Sequence, residues 1–371
     1  MLMAMVPQIV LGPIIGPLVD RWNRKRIMIV ADLSIAVITI GLVVLFASGT
    51  IQVWHIYVAM VCRAIGQSFH FPAMLASIPL IVPEKHLSRA AGLNQMLQGV
   101  VTIAAPPAGA VLIGMLPMYS VLAIDIITAI IAISCLLFIP IPQPELTTRT
   151  TNSSPYKDMI KGFKYIFTSP GLLALTGLSA VIVFFIVPSF TLMPILVTDH
   201  LSGDVLKLGW LNSTFGVGMI VGGLIMGIWA GFKRRIITTL VGCLILSVAT
   251  SVLGFTSLRL FLIALAASFV VGAGLSICNA PMMAIIQSVV ARDMQGRFFS
   301  IFNALTSALT PLGLAVAGPV ADAIGIRSLY FISGAASFVA VVVSFFSHSL
   351  MNIEIQVKNA EVKVDKQVTF K

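Results

Sequence analysis

The chain has 371 residues, of which 58% are hydrophobic and 10% charged, and its mean hydropathy is +1.04. Soluble domains carry about 25% charged residues, so this composition excludes one. The net charge of +10 belongs to leaflet and insertion chemistry, and no nucleic-acid partner is needed to explain it.

Eleven apolar stretches, each near the roughly 20 residues that cross a hydrocarbon core, run from 2 to 19, 27 to 48, 53 to 74, 91 to 114, 118 to 140, 171 to 197, 208 to 230, 236 to 255, 259 to 287, 298 to 321 and 328 to 350. Lipid offers the backbone no partners, so all should be helices. The first two flank the run Gly16 to Arg26, which packs Asp20, Arg21, Arg24, Lys25 and Arg26 into a short loop. Gly16 lets helices approach closely. Asp20 ends a helix at its negative pole, an unfavourable place unless a cation or another helix start is near. It can therefore act as a latch, engaging a helix start from the opposite half in one state and losing it in another. Arg21, Arg24 and Lys25 can bind anionic lipid or acidic partners; the bland alternative is that the cluster only sets topology.

Further along, ionisable residues inside spans mark candidates, since each costs about 2.5 to 3.5 kcal/mol on insertion scales. Asp32 sits just inside its span, within reach of water or of Lys25 and Arg26. Arg63 and Asp125 lie roughly 15 Å and 10 Å deep at 1.5 Å per residue and are able to pair. The pair reads equally as a proton carrier and as a static helix-orienting contact. His70 reads as a hydrogen-bonded packing histidine. Asn94, Gln95 and Gln98 form possible polar lining, and the segment Gly99 to Gly114 combines small residues with Pro106, Pro107 and Gly109 to allow a bend and close approach. Residues 141 to 169 form the longest loop, including a basic amphipathic helix with Lys157, Lys161 and Lys164. In the second half, Gly227 to Arg235 echoes the first loop without its acid, and its basic run reads as topology alone.

Of 23 basic residues, 19 fall in loops on one side. Only Lys207, Arg259 and Arg327 fall on the other, which makes the first side cytoplasmic, the C-terminus included. No phosphate cradle, metal-ligand spacing or hydrolytic triad is present, so neither an enzyme nor a cofactor is expected. Cys62, Cys135, Cys243 and Cys278 lie in spans and read as core residues.

At a shift of 209 residues, Ala64, Pro72, Met74 and Asn94 fall on Ala273, Pro281, Met283 and Asn303, the mark of a two-repeat transporter. The loop Gly16, Asp20, Arg21, Arg24, Lys25 and Arg26 resembles the signature between helices two and three of the major facilitator superfamily. Asn23 stands at its second glycine, where a left-handed backbone is tolerable for asparagine. The stretches LGPIIGPLVDRWNRKRIMI, GQSFHFPA, LIVPEKHLSRAAGLNQ and AIDIITA resemble the macrolide efflux subgroup. Arg63 resembles the superfamily's fourth-helix arginine, and Gly99 to Gly114 a degenerate antiporter motif with Ala105 and Ala110 at glycine positions.

The resemblance implies an all-α membrane protein with two pseudo-symmetric six-helix bundles. The first bundle, 1 to 140, is one N-terminal span short; a linker at 141 to 169, a second bundle at 170 to 350 and a tail at 351 to 371 follow. It implies a monomeric plasma-membrane exporter of macrolide-like small molecules, driven by protons, with little transport by a chain lacking that span. Siderophore or lysolipid export, or a non-transporting scaffold, are the alternatives.

Overall fold

The computed structural model describes residues 2–142, 155–200, 205–256, 260–291 and 293–354. Its regular elements are helices: α1 Leu2–Arg21, α2 Arg24–Ala47, α3 Val53–Ile81, α4 Leu87–Met115, α5 Met118–Phe138, α6 Pro155–Thr168, α7 Pro170–Thr191, α8 Met193–His200, α9 Val205–Trp229, α10 Arg235–Phe255, α11 Phe261–Val289, α12 Gln295–Ile324, α13 Ile326–Phe345 and α14 His348–Met351. Among the described residues, α2 to α5, α7 and α9 to α13 are long and apolar enough to cross a membrane. The remaining stretch read from the sequence, 2 to 19, is α1, helical for 20 residues despite Pro7, Pro13 and Pro17. The stretch 171 to 197 is not one helix. It stops at Leu192, shortly after Pro188, and restarts as α8 with Pro194 in its first turn, a position where proline's missing N–H costs nothing.

The chain divides into two compact units. The first comprises Met1–Pro83, Pro106–Tyr165 and Val290–Ala308; the second comprises Glu84–Ala105, Ile166–Val289 and Leu309–Lys371. The boundary thus passes through α4 at Pro106 and through α12 just before Pro311. In the first unit α3 packs on α1 and α2, and α2 also on α5. Ile15, Val19, Ile27, Met28 and Ala73 form its buried centre.

In the second unit α11 lies between α9 and α10, and α13 between α7 and α10. Ser268 and Ser276, two turns apart on α11, donate across to the carbonyls of Leu211 and Met219 on α9 at 2.8 and 3.0 Å. Such bonds hold helices together where burial from lipid gives no hydrophobic drive. Cys243 and Cys278 are buried, but Cys135 is exposed, so it is not the core residue expected. It sits on α5, none of whose residues is buried.

The fully buried Tyr330 of α13 donates its hydroxyl to Ser189 O at 2.5 Å. Ser189 lies in the last turn of α7, where a carbonyl has no intrahelical donor. Tyr330→Phe orphans that oxygen at a cost of about 1 to 3 kcal/mol, so the thermal-unfolding midpoint in detergent should fall by several degrees. Tyr57→Phe, at a half-exposed ring, should leave it in place.

Candidate functional site

The first unit is organised around a seam between α1 and the start of α12. Gln8, Gly12, Gly16 and Asp20 recur every fourth residue and so share one face of α1. Gln8 Oε1 meets Ser307 Oγ at 3.3 Å. A Cβ on Gly12 would lie 2.8 Å from Ala304 Cβ, and one on Gly16 would lie 2.6 Å from Arg297 Cα. The helices therefore touch backbone to backbone, and the last member of the stripe lands on the first turn of α12. Asp20 Oδ1 accepts from Gly296 N at 2.6 Å, and Oδ2 from Arg297 N at 3.1 Å. A Cβ on Gly296 would stand 2.5 Å from that carboxylate, so glycine is the residue that admits it.

Arg297 Nε at 3.4 Å and Arg24 Nη2 at 3.8 Å flank the same buried carboxylate. Arg24 is fully buried and also donates to Ala76 O on α3 at 2.5 Å. Lys25 Nζ donates to Leu137 O and Ile139 O, at 2.8 and 3.0 Å, at the negative end of α5, where a cation is favoured. Two of the loop cations thus face protein. Asn23 is not left-handed as its motif position suggested. With φ −65° and ψ 111° it is the N-cap of α2, its side chain accepting from Arg26 N at 3.0 Å, which requires extended backbone.

Deeper in the first unit, Arg63 and Asp125 are brought together. Arg63 Nη1 donates to Asp125 Oδ2 at 2.6 Å and to Thr39 Oγ1 at 2.5 Å, and Thr39 Oγ1 lies 3.1 Å from the same carboxylate oxygen. The pair is partly open, its side chains 36% and 41% exposed. Asp32 pairs neither with Lys25 nor with Arg26 but with His70 Nε2, at 3.5 Å, because Lys25 is committed to α5. His70 thus has a polar partner, the Asp32 carboxylate.

Asn94 and Gln98 are exposed. Pro106 and Pro107 lie within an unbroken α4, and a Cβ on Gly109 would meet nothing within 4 Å, whereas one on Gly99 would lie 2.7 Å from Gly216 O. Close approach therefore falls on the amino-terminal side of the prolines. Arg149, Arg259, Arg292 and the tail lysines lie outside the described residues, as do the side chains of Lys157 and Lys161. In the second unit, Arg235 does more than set topology. It donates to Glu84 O at 2.9 Å and Ser288 Oγ at 3.2 Å, and lies 3.7 Å from the Glu84 carboxylate. The Glu354 carboxylate accepts from the backbone of Ile236 and Arg235; burial pushes it above the usual carboxylate range, while Arg235 draws it down.

Sequence reasoning missed Gln8, Gly12, Gly296 and Glu354. The four-residue spacing of Gln8, Gly12, Gly16 and Asp20, mirrored by Gly296, Ser300 and Ala304, was the available signal for the first three.

The chain matches the sequence profile described as Major Facilitator Superfamily over residues 1–201 and again over 188–366. It is 29% identical over 333 residues to macrolide efflux protein A of Streptococcus pyogenes, covering 90% of this chain and 82% of that protein. Its counterpart from Enterococcus faecalis is 29% identical over 313 residues, covering 84% and 97%. Multidrug efflux pump Tap of Mycolicibacterium fortuitum is 25% identical over 366 residues, covering 95% and 87%. Among solved structures, a bacterial homologue of the iron transporter ferroportin in an outward-facing state superposes with a TM-score of 0.72 at 15% identity, covering 92% and 87%. The E. coli fucose:proton symporter FucP superposes with 0.72 at 14%, covering 92% and 90%. These last two speak to fold alone.

Breaking a buried charge pair costs about 3 to 5 kcal/mol. Asp20→Asn keeps the shape of the clamp but removes its charge, and Gly16→Val wedges the seam. Both should lower the thermal-unfolding midpoint in detergent by several degrees, while Arg26→Gln at an exposed position should shift it by about a degree or less.

Proposed function

The chain belongs to the Major Facilitator Superfamily, as a multi-pass membrane transporter of the drug-efflux type, and we propose that it exports amphipathic, macrolide-like molecules in exchange for protons by alternating access. The observation that carries the reading is the Arg63–Asp125–Thr39 cluster. An ionised Asp125 is held by a guanidinium and a hydroxyl inside a span. Adding a proton cancels its charge and releases Arg63 from the ion pair, so protonation and the arrangement of α2, α3 and α5 are coupled. Neither member of the pair is fully buried within the protein.

The Asp20 clamp supplies the gate in this reading. A carboxylate on two backbone N–H groups at a helix start is strong when docked and costly to desolvate again after it leaves, which suits a contact with two discrete states. Gly16, Asp20, Arg21, Arg24 and Lys25 form the gating loop, and Pro106, Pro107 and Gly109 allow α4 to flex. The loops richest in Lys and Arg face the cytoplasm, as does the C-terminus, and the protein works as a plasma-membrane monomer organised as two bundles joined by the linker at 141 to 169. The efflux names of the relatives support a macrolide-like cargo.

Drug accumulation in an efflux-deficient cell tests this reading. Expressed with an added N-terminal span that completes the first bundle, the protein should lower macrolide accumulation, a protonophore should abolish the effect, and Asp125→Asn should raise accumulation to the level of the empty cell. Export that ignores the protonophore would overturn proton coupling, and no change in accumulation would leave a different cargo or a scaffold.

A further inference from the structure

The antiparallel helices α2 and α3 carry their polar residues in matched register. Asp32 and Thr39 are seven residues apart on α2, two turns on one face. Arg63 and His70 are seven apart on α3, and each meets the residue opposite: His70 with Asp32 at 3.5 Å, and Arg63 with Thr39 and then Asp125. Between the two rungs, a Cβ on Gly66 would lie 2.9 Å from Ile35 Cγ1 and 3.4 Å from Ser34 Oγ, so the helices are locked in that register. Two turns place the rungs about 10.5 Å apart, a gap that about three hydrogen-bonded waters close at ~2.8 Å each. The side chains of Asp32 and His70 are 21% and 22% exposed, and those of Arg63 and Asp125 36% and 41%, so none of the four is fully buried within the protein.

We propose that His70, held by Asp32, is a second proton station that exchanges protons between the basic end of the helices and Asp125. This rests on the proton-coupled reading above and assigns it a residue. The transfer is a proton relay with no change in oxidation state. The Asp125 carboxyl gives its proton to water and returns to its pair with Arg63; the water chain passes a proton to the free nitrogen of neutral His70; the imidazolium, stabilised by the Asp32 carboxylate, then gives a proton to bulk water. Imidazole suits the task because it is the unperturbed side chain that changes charge between about pH 5 and 8. The ionisable groups around the path are Asp32 from α2, Arg63 on α3 and Asp125 from α5. Toward the basic end Arg24 of α2 is engaged by Asp20 of α1 and Ala76 O, and Lys25 by the end of α5. Neither competes for the Asp32 carboxylate. A static helix-orienting pair would explain the 3.5 Å contact alone; it would not call for a titratable base two turns along the helix from the partner of Asp125.

The test reconstitutes the whole protein in proteoliposomes containing a pH-sensitive dye, with erythromycin as probe. Efflux driven by a pH gradient and erythromycin counterflow without a gradient are measured for wild type, His70→Gln and Asp32→Asn, each checked by thermal unfolding. Gln retains a hydrogen bond to Asp32 but carries no proton. The expected result is that His70→Gln lowers gradient-driven efflux and dye-reported proton flux about tenfold and flattens their pH dependence between pH 5.5 and 7.5 (roughly the imidazole range), while counterflow changes less than twofold. Asp32→Asn should lower driven efflux and proton flux in the same direction, since the ring loses the carboxylate that holds it. If folded His70→Gln keeps the wild-type flux and pH profile, or loses counterflow and driven efflux equally, His70 is no proton station. Wild type that moves erythromycin without moving protons sinks the underlying reading instead, and that outcome is separate because it appears before any variant is made.

Discussion

A carboxylate buried against the first turn of another helix is the constraint on which the first unit depends. Asp20 is surrounded by apolar helices, so its charge is tolerable only with partners at short range. Those partners are two backbone N–H groups and two guanidinium groups, and they exist only if α1 and α12 meet without side chains between them. The small residues of the seam are therefore requirements of the charge. Arg24 extends the constraint to α3 through Ala76, and Lys25 extends it to α5. One loop of few residues thereby ties together α1, α2, α3, α5 and α12.

The second unit meets a related need with different chemistry. Its corresponding loop has no acid, and the carboxylates come instead from Glu84, before α4, and from Glu354, beyond α14. Arg235 at the start of α10 collects both. Both helix starts are thus met by carboxylates distant in sequence, that of α12 by Asp20 and that of α10 by Glu354.

Much of this was legible in the sequence because lipid restricts the choices. Apolar length specifies helices, and Asp20 at a helix end announces its need for donors before any partner is known. Arg63 and Asp125 were similarly legible, since a charge inside a span has few ways to exist. Registers were not legible. The pairing of Asp32 with His70 rather than Lys25 depends on which way the first turn of α2 points, and Lys25 is drawn away by carbonyls more than a hundred residues distant in sequence. Asn23 shows the same limit: its motif position suggested one backbone conformation, whereas the demand of the α2 amino terminus for a side-chain acceptor imposed another. Glu354 offered no signal, because nothing local tells an acid beyond the last span that a helix start lies above it.

The donors that hold Asp20 belong to the main chain of α12, which gives the clamp an unusual genetic signature. A side-chain donor can be deleted by many codon changes; a backbone donor is deleted by proline alone. Lesions that abolish the clamp should cluster in Asp20 itself, in its flanking Arg24 and Arg297, in bulky replacements of Gly16 and Gly296, and in proline at 296 or 297. Inactivating changes at this point of the molecule are thus confined to a small number of codons, and a restoring second-site change would have to recreate space rather than chemistry.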